Sequence, residues 1–158
     1  MKKLVLTAIA GVLLSGAAPA LADETTWYMM TFDDSYAYFV NDDSKVRDGN
    51  TVSAWFAHVL VSPKPEYDMM MVAWSADCKK RTIDVEDIGH YLKGDPVGPR
   101  FQKRGEPRRV RPGTIAEAFY KTLCKKTDKT FPFEPRSLDE LSKFGRFIVE
   151  EIKRNPPK

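Results

Sequence analysis

Apolar and polar positions alternate along residues 25–92, and this alternation predicts a series of β-strands. The predicted strands cover residues 26–32, 36–40, 51–61, 69–76 and 81–88. Gly49 follows Asp48 just before the third strand, and glycine there supplies the positive φ of a hairpin turn. Strand 69–76 is apolar on both of its alternating faces, whereas strand 81–88 is apolar on one face only. The pattern therefore predicts an antiparallel sheet whose middle is covered on both sides.

The spacing of apolar positions becomes helical after Pro112. Thr114-Ile115-Ala116-Glu117 has the pattern of a capping box, in which the threonine and glutamate side chains satisfy free amides of the first turn. An apolar stripe continues from this box to Cys124 and predicts a helix lying on the sheet. A second box, Ser137-Leu138-Asp139-Glu140, opens another amphipathic helix. We expect Gly145 to weaken that helix by about 1 kcal/mol relative to alanine.

These elements predict an α+β fold, with an antiparallel β-sheet packed by a helix and a C-terminal helical extension. Residues 94–99 contain two glycines and two prolines, so we expect them to break regular structure. Residues 125–136 are charged and also contain two prolines, so the last helix is expected to dock as an appendage or cap rather than complete the core. The predicted organisation is a leader at 1–22, an α+β domain at 23–124, and a charged linker with the C-terminal helix at 125–158.

Residues 1–22 have the pattern of a Sec-type export signal. Lys2 and Lys3 precede an apolar run over 4–14, and Ala20-Leu21-Ala22 matches the small-residue cleavage site. The run covers 11 positions, fewer than the roughly 20 that span a bilayer. A lipoprotein would carry a cysteine at the cleavage site, and Asp23 stands there instead. We therefore expect a periplasmic or secreted protein without a membrane span.

The charges of the exported part nearly balance. Of the 25 lysines and arginines, two lie in the leader, which leaves 23 against 22 acidic residues. Overall attraction to nucleic acid is therefore not indicated. The distribution is uneven, because acidic residues crowd the start of the exported chain while basic ones crowd a later segment. Pairing of these two regions between copies would produce a homo-oligomer.

The exported chain contains two cysteines, Cys78 and Cys124, and we expect them to form a disulfide in an oxidising compartment. The alternative is a reactive thiol, which export disfavours because no reducing pool keeps it free. At 46 positions apart, the bond would stabilise the fold by about 4 kcal/mol in the loop-entropy model.

Short motifs spread over residues 27–124 together resemble the bacterial surface-adhesin protein E-like family. They are Trp27, Tyr38-Phe39-Val40, Asp43-Ser44, Val46-Arg47-Asp48-Gly49-Asn50-Thr51-Val52, Trp55, Asp77-Cys78, Lys79, Arg81, Tyr91, Pro112-Gly113-Thr114 and Cys124. The resemblance implies a compact antiparallel sheet with a packed helix, a disulfide between the two cysteines, envelope exposure and no catalytic machinery. The chain differs from the family pattern in lacking a lipidated cysteine and in adding a helix after Cys124. No ligand-binding residue is carried over, and adhesion remains an analogy at the level of the fold.

The basic segment is the main binding candidate of the sequence. Its cations are Arg100, Lys103, Arg104, Arg108, Arg109 and Arg111. They suit phosphate or sulfate groups of a lipopolysaccharide or glycosaminoglycan, or an acidic protein surface. The alternative interpretation is a solvated loop kept soluble by its charge.

A metal site is the second candidate chemistry. His58 and His90, with Asp84 or Glu86, would bind a transition metal if the fold brought them together. The methionines at 29, 30 and 69–71 are soft ligands suited to copper(I), although core filling is the simpler explanation at strand spacing.

We found no nucleophile elbow, zinc-protease motif, C-x-x-C pair, P-loop or dinucleotide-binding glycine pattern. We therefore predict a protein that is not an enzyme and needs no cofactor. Its predicted role is an exported envelope or periplasmic binding domain, adhesin-like, that engages an envelope or extracellular macromolecule, including a polyanionic one. The alternative is a periplasmic carrier of a small ligand or metal, built on His58, His90 and the methionines.

Overall fold

The computed structural model describes residues 25–101, 106–125 and 132–155. The predicted leader at 1–22 lies outside them. The strands are β1 Trp27–Phe32, β2 Tyr36–Asp48, β3 Thr51–Leu60, β4 Met69–Asp77, β5 Thr82–Leu92, β6 Asp95–Phe101, β7 Arg108–Arg109 and β8 Pro132–Phe133. The helices are α1 Ile115–Cys124 and α2 Leu138–Arg154. Within these ranges, neither helix is long and apolar enough to cross a membrane.

All strand pairs are antiparallel, and the sheet order is β6-β5-β4-β3-β2-β1-β8, with β7 also paired to β5. This arrangement, with two helices packed on the sheet, confirms the α+β prediction. Tight turns connect neighbouring strands of the sheet. Between β1 and β2, Asp33 Oδ1 accepts the amides of Ser35 and Tyr36. Gly49 has a φ of 56° between β2 and β3, as the hairpin prediction requires.

Several strands differ from the sequence prediction. β5 continues to Leu92, beyond the predicted end at 88, and β7 and β8 were not predicted. β2 continues to Asp48 because the irregular part after Asn41 is held by side chains: Ser44 Oγ donates to the Asn41 carbonyl and accepts the Trp55 amide. Residues 95–101 form β6 where breaks were expected. Pro96 and Pro99 are compatible with this strand because it lies at the edge of the sheet, where fewer amides must pair.

The two faces of the sheet carry separate apolar clusters. The first, under α1, contains Tyr38, Val40, Val52, Ala54, Phe56, Ala76, Ile83, Val110, Phe119, Tyr120 and Leu123. The second, under α2, contains Trp27, Met29, Ala37, Phe39, Ala57, Val59, Met69, Met71, Leu141 and Val149. β3 and β4 contribute to both clusters, as the apolar pattern of 69–76 predicted for a strand covered on both sides.

A disulfide joins the end of α1 to the residue that follows β4, Cys78 to Cys124. This is the bond predicted from the sequence. The Tyr120 hydroxyl donates to the Cys78 carbonyl at 2.9 Å and adds a second tie at the same place. The capping box of α1 forms differently from the prediction, since Thr114 Oγ1 donates to the Arg111 carbonyl. Glu117 does reach back, but it accepts the Gly113 amide.

α2 packs across the second cluster, and its Leu141 and Val149 are fully buried. Ser137 caps the helix as predicted, because its Oγ accepts the Glu140 amide. The C-terminal helix therefore completes the second core and is not an appendage, because its apolar side packs directly on the second face of the sheet.

Candidate functional site

A groove of about 870 Å³ lies between β5, β7 and the first turn of α1. Its floor, as we name the apolar lining, consists of Trp74, Ile83, Val85, Ile88 and Ile115. Its rim, as we name the charged lining, consists of Asp84, Glu106, Arg108, Arg109 and Arg111. An apolar concave surface with a few charged groups is the usual composition of a ligand site.

The pairing of β7 with β5 places the arginines beside this groove. Arg109 and Arg108 pair with Thr82 and Ile83 of β5, and the Val110 amide donates to the Arg81 carbonyl. Val110 is buried in the first cluster, whereas Arg108, Arg109 and Arg111 are all exposed. The turn through Gly113, with a φ of 75°, then leads directly into α1.

Among the residues that the structure describes, the three groove arginines have no acidic partner. In the described part of the chain, Arg108, Arg109 and Arg111 form no ion pair. By contrast, Arg81 Nη2 lies 4.0 Å from Glu117 Oε1. The pKa of Glu117 is held below its usual value by the hydrogen bond from the Gly113 amide and, to a smaller extent, by Lys121 and Arg81. The groove arginines are therefore available to anionic groups of a ligand.

The basic segment predicted from the sequence does not form one site. Arg100 pairs with Asp87, and its guanidinium lies 5.3 Å from the centre of the Trp55 ring, which packs against the second cluster. Arg100 is thus on the opposite face from the groove. Lys103 and Arg104 lie outside the described residues. Within the described ranges, the groove brings together only Arg108, Arg109 and Arg111 of the six.

The predicted metal ligands are spread along the sheet. The register aligns His58 with Met70 and Met70 with His90, which places the two histidines two strands apart, about 10 Å. His58 Nε2 accepts the Trp74 indole N–H at 3.3 Å, and the His90 ring lies 4.7 Å from that of Tyr67. Across the residues the structure describes, no three His, Cys, Asp or Glu side chains cluster in a way that suits a metal ion.

The methionines mainly fill the cores. Met29, Met69 and Met71 are buried in the second cluster, and Met30 packs against the first. Their placement agrees with the explanation of core filling at strand spacing.

His58 is buried among aromatic rings beneath α1, close to the groove. Its imidazole packs within 5.4 Å of the centres of the Tyr38 and Phe119 rings. Burial lowers its pKa to about 4, partly offset by the negative charge of Asp33. The pKa of Asp33 is itself below its usual value: burial raises it, but hydrogen bonds from Tyr38, Ser35 and Tyr36 outweigh that effect.

This depressed pKa predicts a specific loss of stability in acid. The unfolded chain binds a proton at His58 below pH 6.5, while the folded protein does so only near pH 4, so stability falls as pH drops through this window. The loss attributable to His58 should approach about 3 kcal/mol by pH 4. Urea unfolding at pH 7 and pH 4.5 should show a smaller decrease for His58→Phe than for the unchanged protein. Equal decreases in the two proteins would contradict the assignment.

The sequence located the groove arginines but missed the floor beneath them. Ile83 and Val85 were assigned to one face of a strand, and only the fold shows that Trp74 and Ile115 join them there. The exposed fraction of Ile115, 39%, gives the clearest structural sign of an open apolar site. Its position at the start of the apolar stripe of α1 is the sequence signal that could have indicated it.

Comparison with known proteins agrees with the motifs. No curated protein and no solved structure matches the chain significantly. The family model of surface-adhesin protein E matches residues 27–125, which extend from β1 to the end of α1 and include both cysteines and the whole groove. The chain belongs to the surface-adhesin protein E family.

Proposed function

We propose that this protein is an exported, non-catalytic, adhesin-like binding protein that uses the groove to engage a macromolecular partner carrying anionic groups. The observation that supports this proposal most strongly is the set of three exposed arginines, free of ion pairs within the described residues, around one groove. Membership of a surface-adhesin family favours a binding role at or beyond the cell envelope. The partner is therefore expected to be an envelope or extracellular macromolecule.

The alternative from the sequence, a small-ligand or metal carrier, has less support. The two histidines are separated by a strand, and the Nε2 atom of His58 is already engaged by Trp74. Metal content after purification with added copper or zinc tests this alternative. Stoichiometric uptake that depends on His58 and His90 would favour the carrier.

Retention on immobilised heparin, a polyanion, tests the proposed function. The variant Arg108→Gln/Arg109→Gln/Arg111→Gln should elute at lower salt, with an affinity reduced at least about tenfold, because each exposed ionic contact contributes about 0.5–1 kcal/mol. The matched control, Lys80→Gln/Lys143→Gln/Lys153→Gln, removes the same charge at exposed sites elsewhere and should elute near the unchanged protein. Equal shifts in both variants would show that only net charge matters and would refute a groove-centred site.

A further inference from the structure

The floor of the groove is larger and more apolar than anion binding requires. A sulfate or phosphate needs cationic and N–H donors, which the rim alone supplies. The floor also presents Trp74, Ile88 and the 39% exposed Ile115, drawn from three different elements. An apolar surface of this kind stays exposed at a cost in hydration free energy unless a partner covers it.

The rim carries acids as well as arginines. Glu106 is exposed and makes no ion pair among the described residues. A fatty acid offers an anionic group and an apolar chain but no hydrogen-bond donor for this carboxylate, and a sulfated glycan offers hydroxyl donors but no bulky apolar group for the floor. A polypeptide supplies carboxylates for the arginines, N–H donors for Glu106, and apolar side chains for the floor.

We propose that the groove binds an acidic amphipathic segment of a partner protein, with one bulky apolar side chain on the floor and flanking carboxylates on Arg108, Arg109 and Arg111. This inference rests on the proposed function and narrows it to one class of partner. The volume of about 870 Å³ is within the range that holds a bulky side chain together with its backbone neighbours. Burial of that side chain supplies affinity, and the arginines supply orientation.

Selection from a library of short random peptides displayed on phage tests the proposal, with the exported full chain as bait. Enriched peptides should combine acidic residues with a neighbouring aromatic or large aliphatic residue. Replacing that apolar residue with alanine in a synthetic copy should weaken binding about tenfold or more, consistent with loss of a buried side chain. Calorimetry and the fluorescence of Trp74, checked with Trp74→Phe, provide the readout.

Two variants locate the binding. Ile115→Asp places a charge on the floor at the first position of α1, where an acidic residue favours the helix dipole, so the fold should persist. It should abolish the preference for the apolar residue, whereas Phe147→Asp, at a 58% exposed site on α2, should leave it intact. Thermal melting of both variants confirms that they remain folded.

Three outcomes would overturn the inference. They are enriched peptides without the acidic and apolar combination, equal binding to Ile115→Asp, and Ile115-dependent binding of lauric acid or a heparin fragment with no peptide enriched. If heparin retention still depends on the arginines in these cases, the proposed function stands and only the assignment of a peptide as the partner is refuted. If arginine dependence is lost as well, both proposals fail.

Discussion

Replacing both Cys78 and Cys124 with serine should lower the free energy of unfolding by about 4 kcal/mol. The bond closes a loop of 46 positions, and its loss restores the conformational entropy of that loop to the unfolded chain. Urea denaturation of the double variant and the unchanged protein, at equal pH and salt, measures the difference. A loss this large is a major part of the 5–15 kcal/mol that typically stabilises a domain.

Reduction of the unchanged protein provides the control. Both cysteines are partly exposed, so a thiol reductant should reach the bond and bring stability down to that of the double variant. The α1 side chains Phe119 and Leu123 remain buried in the first cluster, so the groove wall should stay in place in the folded state. If the oxidised and reduced proteins unfold at the same urea concentration, the loop-entropy explanation is wrong.

The parts of the fold that sequence predicted well depend on local signals. Gly49 after Asp48 gives a hairpin because the turn needs positive φ, and Ser137 starts α2 because its oxygen satisfies a free amide. β6 was missed because prolines at 96 and 99 indicate a break, yet they are tolerated at an edge position that only the complete sheet defines. Local chemistry predicts the individual elements, but the position of a strand within the sheet determines whether it tolerates proline.

Gly145 is a second position where local signals in the sequence are not enough. Helix propensity alone makes glycine a defect in α2, and no pattern in the sequence accounts for its presence there. In the fold, a Cβ atom at this position would lie 3.0 Å from the Phe39 ring and 3.1 Å from Val59. The glycine allows α2 to approach β2 and β3 closely, so packing across the sheet explains what propensity could not.

The candidate site was predictable only in its charged half. The arginines at 108, 109 and 111 are visible as a run, and all three are exposed around the buried Val110. The floor needed the strand register, since Trp74 pairs with Val85 across a β-bulge and α1 arrives from a distant part of the chain. Contacts of this long range leave no periodic signal in the sequence.

Asp68 is the site of the second large loss of stability that we expect on mutation, and no sequence pattern marked it. It lies between β3 and β4 with 4% of its surface exposed, and its Oδ2 atom accepts the Ser142 hydroxyl at 3.1 Å and lies 3.6 Å from Arg146 Nη1. Its Oδ1 atom accepts the Lys93 amide. One buried carboxylate thus joins α2 to two loops of the sheet.

Asp68→Ala should therefore destabilise the protein by about 3 kcal/mol or more, because it leaves the largely buried charge of Arg146 without its acidic partner and, within the described ranges, with only the Ser142 hydroxyl as acceptor. Asp68→Asn, which keeps the shape and an acceptor for Ser142 but loses the charge, should show a smaller loss. Asp139→Ala, which removes the exposed pair with Lys143 on the same helix, should cost less than about 1 kcal/mol. Urea unfolding ranks the three variants, and amide hydrogen exchange should show α2 opening first in Asp68→Ala. A cost for Asp68→Ala no greater than that for Asp139→Ala would mean that apolar packing alone holds α2, and that the buried carboxylate contributes nothing to its attachment.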